Sequence, residues 1–275
     1  MPGALPLPFA DLPLAQRLER AEGTACAQFA QARKSLEPTS TSIWTECAGA
    51  LLTFDGVDAP TTQSFGLGIF AELTPVILDE AEAFFFSRGS AAMHEICPLA
   101  GPAALQLLCN HGYRPMEVSN VLFQPIEDLR PPVQSNVRVR TVGRAEAALW
   151  AAISTRAWTH EYPELEALMR QTGKLLVNRE GSACFLAEID SQPGATGALF
   201  LHDGVALLAG AATVPELRRR GLQNALLQAR LQYARDHGCD LCVMVTEAGS
   251  NSQRNAERQG FRIAYTRIKW RKELP

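Results

Sequence analysis

Two stretches of this 275-residue chain share one pattern at a fixed offset of 148 residues. In the first, an apolar run ends at Ala100-Gly101, a helix-length stretch follows, and Gly112-Tyr113-Arg114 closes it; in the second the same marks fall at Ala248-Gly249 and Gly260-Phe261-Arg262. A strand-like run comes next in each case, Val118 to Phe123 and Ile263 to Trp270. Glycine commonly closes helices, because it takes the left-handed backbone conformation without strain. Identical spacing at both anchors, with a shared arginine, goes further and predicts two copies of one fold. The length suits two domains of roughly 150 residues. Between Gln124 and Asn136 the chain is polar, with Pro131-Pro132 at its centre, and such a stretch favours extended linker backbone. The expected organisation is a first domain over 1–127, a linker over 128–135 and a second domain over 136–275.

Hydrophobic periodicity orders the second half. Val137, Val139 and Thr141 alternate with Arg138 and Arg140, which reads as a strand with one wet face. Ala145 to Trp158 and Pro163 to Arg170 read as helices. Cys184 to Ile189, Ala195 to Leu201 and Val205 to Val214 then form an antiparallel meander, turned at Gln192-Pro193-Gly194 and at Asp203-Gly204. Leu222, Ala225, Leu226, Ala229 and Tyr233 recur at helical spacing up to Gly238, and Leu241 to Val245 reads as a short buried strand. The fold class is α/β (α+β): two tandem domains, each a mixed, mostly antiparallel sheet flanked by helices.

Composition excludes several functions. With 26 basic against 29 acidic residues, the chain carries a formal charge of -3 and offers phosphate backbones or anionic membranes no long-range attraction. Neither a nucleic-acid nor a membrane partner is expected. Seven cysteines, an odd number and mostly scattered, make no disulfide framework. The first residues lack a basic segment, prolines interrupt them, and no window approaches a membrane span, so the expected location is the cytoplasm. Oligomeric state is not readable from these features.

The segment that carries chemistry is TVPELRRRGLQNALL, Thr213 to Leu227. It lies where a strand gives way to an amphipathic helix, and there the free N–H groups and the helix dipole make an anion site. Gly221 lets the backbone approach a ligand, and Arg218, Arg219 and Arg220 add positive charge. The natural guest is a pyrophosphate. No Gly-Lys-Ser/Thr follows and there is no three-glycine fingerprint, so neither a nucleotide P-loop nor a dinucleotide fold is indicated.

Val-Pro-x-x-Arg-x-x-Gly-x-x-x-Ala-Leu between a strand and a helix resembles the coenzyme A signature of the GNAT-type N-acyltransferases, Arg/Gln-x-x-Gly-x-Gly/Ala, with Arg218, Gly221 and Gln223 on its positions. The order of elements resembles that family too, and so does the segment Ser252 to Phe261, with its Asn255-Ala256 pair. Asn136 to Trp270 carries the likeness, and the first half shares it through the repeat as a degenerate GNAT-like copy. Three positions depart from the pattern. Gln223 replaces a small residue, and Ala256 and Gly249 stand where many members carry Tyr and Asn.

The resemblance implies an N-acyltransferase that moves an acetyl group from acetyl-CoA to an amine, a small molecule or a peptide N-terminus, by direct attack. Ala211, Ala212 and Thr213 would pair with the pantetheine arm. Backbone amides of Arg218, Arg219, Arg220, Gly221, Leu222 and Gln223 would hold the pyrophosphate, with Asn255 at the coenzyme as well. Glu247, after the fifth strand, is the candidate base. Tyr265 and Ser252 are the candidate acids in place of the missing Tyr. The alternative from another class is a non-catalytic acyl-CoA-binding or protein-interaction module.

Other residues have plainer readings. Cys239-x-x-Cys242 lacks the second pair that a structural zinc would need, and no metal is expected. His160-Glu161-Tyr162 precedes a helix and reads as a capping loop or part of an acceptor pocket. The basic run RIKWRK, Arg267 to Lys272, should place its charges in water. In the first half Leu73 takes the place of Gly221 among Glu72, Asp79 and Glu80, which would repel a pyrophosphate; Gly66-Leu67-Gly68 reads as a bulge or bend in a strand.

Overall fold

A computed structural model describes residues 8–128, 136–160 and 163–275. In chain order the elements are α1 (Leu12–Leu36), β1 (Ile43–Cys47), β2 (Ala50–Phe54), β3 (Gln63–Phe65), α2 (Pro75–Phe86), β4 (Ala92–Ile96), α3 (Gly101–Asn110), β5 (Arg114–Pro125), β6 (Arg138–Val142), α4 (Ala147–Thr159), α5 (Glu166–Asn178), β7 (Ser182–Ile189), β8 (Gln192–His202), β9 (Val205–Thr213), α6 (Leu222–Asp236), β10 (Leu241–Glu247), α7 (Asn251–Arg258) and β11 (Arg262–Lys272). The repeat is visible in these bounds. Strands β2 and β8 end at Phe54 and His202, β3 and β9 end at Phe65 and Thr213, and β5 and β11 begin at Arg114 and Arg262, all at the offset read from the sequence. The fold class found is the one expected, two GNAT-like domains with mostly antiparallel sheets flanked by helices.

The chain divides into two compact units, Met1–Pro125 with Val243–Pro275, and Ile126–Cys242. In the second unit the ladder runs β9-β8-β7-β6, antiparallel throughout. Alternation along these strands turns Phe185, Ala187, Ala195 and Leu199 toward Leu222 and Leu226 of α6, and the burial of these side chains holds the helix to the sheet. The β7–β8 turn is Asp190-Ser191, between paired Ile189 and Gln192, and not Gln192-Pro193-Gly194. A two-residue hairpin of this kind needs positive φ at both positions, which Asp190 (51°) and Ser191 (61°) adopt and the proline ring forbids. Pro193 stands in β8 beside a register shift instead.

In the first unit the strand order is β1-β2-β3-β4-β11-β5-β10, with β3 and β4 parallel. Its core gathers Leu52, Leu67, Leu78, Phe85, Ile96, Leu108 and Trp270. The last strand of the chain thus lies between β4 and β5, antiparallel to both. This differs from the expected boundaries, in which 136–275 stands alone, and residues 129–135 of the expected linker lie outside the described residues. The reason is side-chain chemistry on β11. Trp270 fills the core, and Arg267 is 2% exposed among Glu19, Glu22 and Glu95. The expectation that Arg267 to Lys272 is a solvated face is therefore corrected: three carboxylates draw Arg267 inward, and Lys269 pairs with Glu95 and Glu117. Gly66 and Gly68, both at positive φ, lie in the turn after β3 and not within a strand.

Candidate functional site

The segment after β9 is suspended between buried side chains. Val214 and Leu217 sink into the core before the three arginines, Leu222 sinks in after them, and the Val214 N–H donates to Gly194 O at 2.9 Å. Between these anchors Arg218, Arg219, Arg220 and Gly221 are exposed. Gly221 is the residue before α6, with φ +85°, a conformation that glycine takes without strain, and a Cβ there would meet nothing within 4 Å. The first bond of the helix runs from Ala225 N–H to Gly221 O at 3.1 Å, so the N–H groups of Leu222, Gln223 and Asn224 precede the helical ladder.

No side chain caps this end among the described residues, whereas Asp11, Thr74 and Ser250 cap α1, α2 and α7. The contrast with α2, the counterpart of α6 in the first half, is chemical. Thr74 Oγ1 accepts from Ile77 N–H at 3.3 Å, and Pro75 has no N–H to offer, so few free amides remain there.

Two side chains tie the loop back to β9. The Gln223 amide donates to Thr213 Oγ1 at 2.6 Å, and Arg218 Nε donates to Thr213 O at 3.3 Å. Gln223, the larger residue in the signature, thus folds along the strand end. Arg220 pairs with Asp190 at 3.2 Å, an exposed pair of the sort that contributes at most about 1 kcal/mol and exchanges readily for another anion.

Strand β9 is irregular just before this loop. Thr196 faces Ala212 while Ala198 faces Ala209, so Gly210 and Ala211 together oppose the single residue Gly197, and Gly210 has φ +60°. This is a bulge, which leaves one backbone unit outside the ladder. Ala211 is exposed, and Ala212 and Thr213 are half-buried.

The remaining coenzyme and catalytic candidates belong to the first unit. Glu247 ends β10 and is exposed; Ser252 and Asn255 are exposed on α7. Tyr265 requires a correction. Its side chain is buried in β11, its O–H donates to Glu19 Oε1 at 2.8 Å, and burial, with Glu19 next, holds the phenol well above its ordinary value. A phenol so enclosed is a structural donor and not a solvent-facing acid. Ala256 is buried. His160 is exposed at the end of α4, and Glu161 and Tyr162 lie outside the described residues. Cys239 and Cys242 are buried, and burial raises both thiols. Among the described residues, no helix is long and apolar enough to cross a membrane.

Residues 147–261 match the Acetyltransferase (GNAT) family. That segment, which includes the bulged strand, the arginine loop and α6, is similar to the acetyltransferases of this family. Solved structures share the fold at low identity. A GCN5-related N-acetyltransferase from Kribbella flavida is 18% identical, with 94% of this chain and 95% of that one covered at a TM-score of 0.67. A tandem GNAT protein from the clavulanic acid biosynthesis pathway is 13% identical, with 97% of each chain covered at 0.61. A GCN5-related N-acetyltransferase from Sphaerobacter thermophilus is 17% identical, with 97% and 95% covered at 0.55. No curated protein sequence matches the chain.

Proposed function

We propose that the second unit binds acetyl-CoA through Ala211 to Thr213 and Arg218 to Gln223, and that its acetyl group passes to an amine by direct attack. The observation that carries this reading is the uncapped N-terminus of α6, directly after a bulged strand. The amides of its first turn and the arginines beside them suit a pyrophosphate, and the open space at Gly221 admits one. An N–H of the bulge aimed at the thioester oxygen would stabilise the developing oxyanion by about 3 kcal/mol.

With Tyr265 enclosed, the thiolate leaves without a phenol to protonate it, which its low basicity allows. Glu247 remains the base to test, as an exposed carboxylate. The acceptor class is a small-molecule amine or a peptide N-terminus. In the first half, a degenerate copy, capped α2 holds no second coenzyme. An odd number of cysteines, mostly scattered along the sequence, suits the reducing cytoplasm. Calorimetry with coenzyme A should find one site per chain, and thiol release from acetyl-CoA across a panel of amines should identify an acceptor. Absence of coenzyme A binding to the folded protein would sink the proposal.

A further inference from the structure

Arg230 is the unexpected residue of the second unit. It lies on the stripe of α6 that also carries Leu222 and Leu226, is 4% exposed, and has no carboxylate partner among the described residues. Its hydrogen bonds go to backbone carbonyls: Nη1 to Ala198 O at 3.2 Å and to Ala209 O at 3.4 Å, and Nε to Leu226 O at 3.3 Å. Burial pulls the guanidinium down to about 10, so it remains a cation at neutral pH. A buried charge with no counter-ion is costly, and an apolar side chain of similar volume would ordinarily serve a core better.

The position of those carbonyls gives the charge a purpose. Ala198 and Ala209 are the paired residues immediately before the bulge, and Gly197 is the residue opposite it. A Cβ on Gly197 would sit 3.1 Å from Arg230 Nε, so the missing side chain gives the guanidinium its place. From Gly210 a Cβ would point instead toward Trp150 and Leu176, of α4 and α5. The bulge is thus held on one side by packing and on the other by a cation.

We propose that Arg230 is a positioning residue for acyl transfer: by pinning the Ala198–Ala209 pair from behind the sheet, it fixes the Gly210–Ala211 bulge that presents an amide to the thioester. The peptide carbonyl of Ala209 is conjugated to the N–H of Gly210, so a cation on that oxygen also strengthens the donor at the start of the bulge. The inference rests on the reading that acetyl-CoA binds here.

The test uses the full chain with Arg230→Met and Arg230→Lys, calorimetry with coenzyme A and with acetyl-CoA, and isotope-edited infrared spectra of acetyl-CoA labelled with ¹³C at the thioester carbonyl. In the parent, the bound carbonyl band should lie below its frequency in water. In Arg230→Met it should return toward the free value, and the affinity for acetyl-CoA should drop fivefold or more while that for coenzyme A stays within twofold. Arg230→Lys should restore part of the shift. A merely structural arginine would weaken both ligands alike and leave the band of bound acetyl-CoA unmoved, and that result overturns the inference. If Arg230→Met does not fold, Arg230→Lys decides alone, because lysine keeps the charge and loses the fork: an unchanged band and unchanged affinities overturn the inference, and a partial loss confined to acetyl-CoA supports it. A parent that binds neither ligand refutes the coenzyme reading itself, a failure distinct from these.

Discussion

Replacing Glu19 by Gln should abolish a specific pH dependence of stability in the first unit. Glu19 lies on α1 with its side chain fully enclosed; Tyr265 O–H at 2.8 Å and Arg267 Nη1 at 3.1 Å both reach Oε1, while Oε2 is buried with no hydrogen-bond partner among the described residues. Arg267 is shared, with Glu22 on it at 2.6 and 2.8 Å and Glu95 at 3.0 Å. Burial is the largest influence on Glu19, Arg267 opposes it, and Glu22 adds to it, with the carboxyl pushed up from 4.5 to about 7. Between those values the folded chain holds a proton that the unfolded chain has released. The contribution to stability is therefore complete below about pH 4.5 and is lost as pH rises through about 7. At 1.36 kcal/mol per pH unit, the gap is worth about 3 kcal/mol. Glutamine keeps the shape and removes the proton. Urea unfolding of parent and Glu19→Gln at a series of pH values, followed by tryptophan fluorescence, gives a difference in which titrations common to both proteins cancel. That difference should move in favour of Glu19→Gln by about 3 kcal/mol from pH 4.5 to 8. A difference that stays flat across this range would refute the argument, since Glu19 would then be charged, or neutral, throughout.

Gly221→Asp places a carboxylate before the free amides of α6; its Cβ would meet nothing within 4 Å and the left-handed backbone costs an L residue only about 1–2 kcal/mol, so the protein should stay folded while coenzyme A affinity falls by several kcal/mol in calorimetry; unchanged affinity would reduce the loop to a plain helix start. Gln223→Leu removes the bond to Thr213 Oγ1, and the KM for acetyl-CoA should rise several-fold with kcat nearly constant; a loss confined to kcat would contradict that role. A fragment of residues 1–127 lacks β11, which pairs with β4 and β5, and circular dichroism should show no cooperative melt; a sharp transition would show that the first half closes its sheet unaided.

Local elements were legible because their signals are local. The meander, the amphipathic helix ending at Gly238 and the strand runs over Val118 to Phe123 and Ile263 to Trp270 follow from periodicity and from helix-closing glycines. The turn at Asp190-Ser191 was misread because Gln192-Pro193-Gly194 is the stronger turn composition, yet backbone geometry at a two-residue hairpin excludes proline. Strand partnership was not legible at all. Nothing in Tyr265 to Lys272 names the sheet that receives it; that is set by Glu19 and Glu22, some 245 residues away in sequence, which supply the carboxylates for Arg267.

The same distinction governs the site. A pyrophosphate loop is built from consecutive residues, so charge, glycine and helix start are visible together in Arg218 to Leu222. An acid or base is chosen by position in three dimensions, and a tyrosine on an alternating strand gives no sign of whether it faces solvent or a glutamate. Arg230 did leave a sign. On an amphipathic helix, Leu222, Leu226 and position 230 fall on one stripe, and a cation there breaks the apolar face that packs the helix. Such a break is either a solvated edge or a buried charge with an assigned partner. The missing side chain at Gly197 and the carbonyls of Ala198 and Ala209, which the structure brings to that same cation, decide for the second.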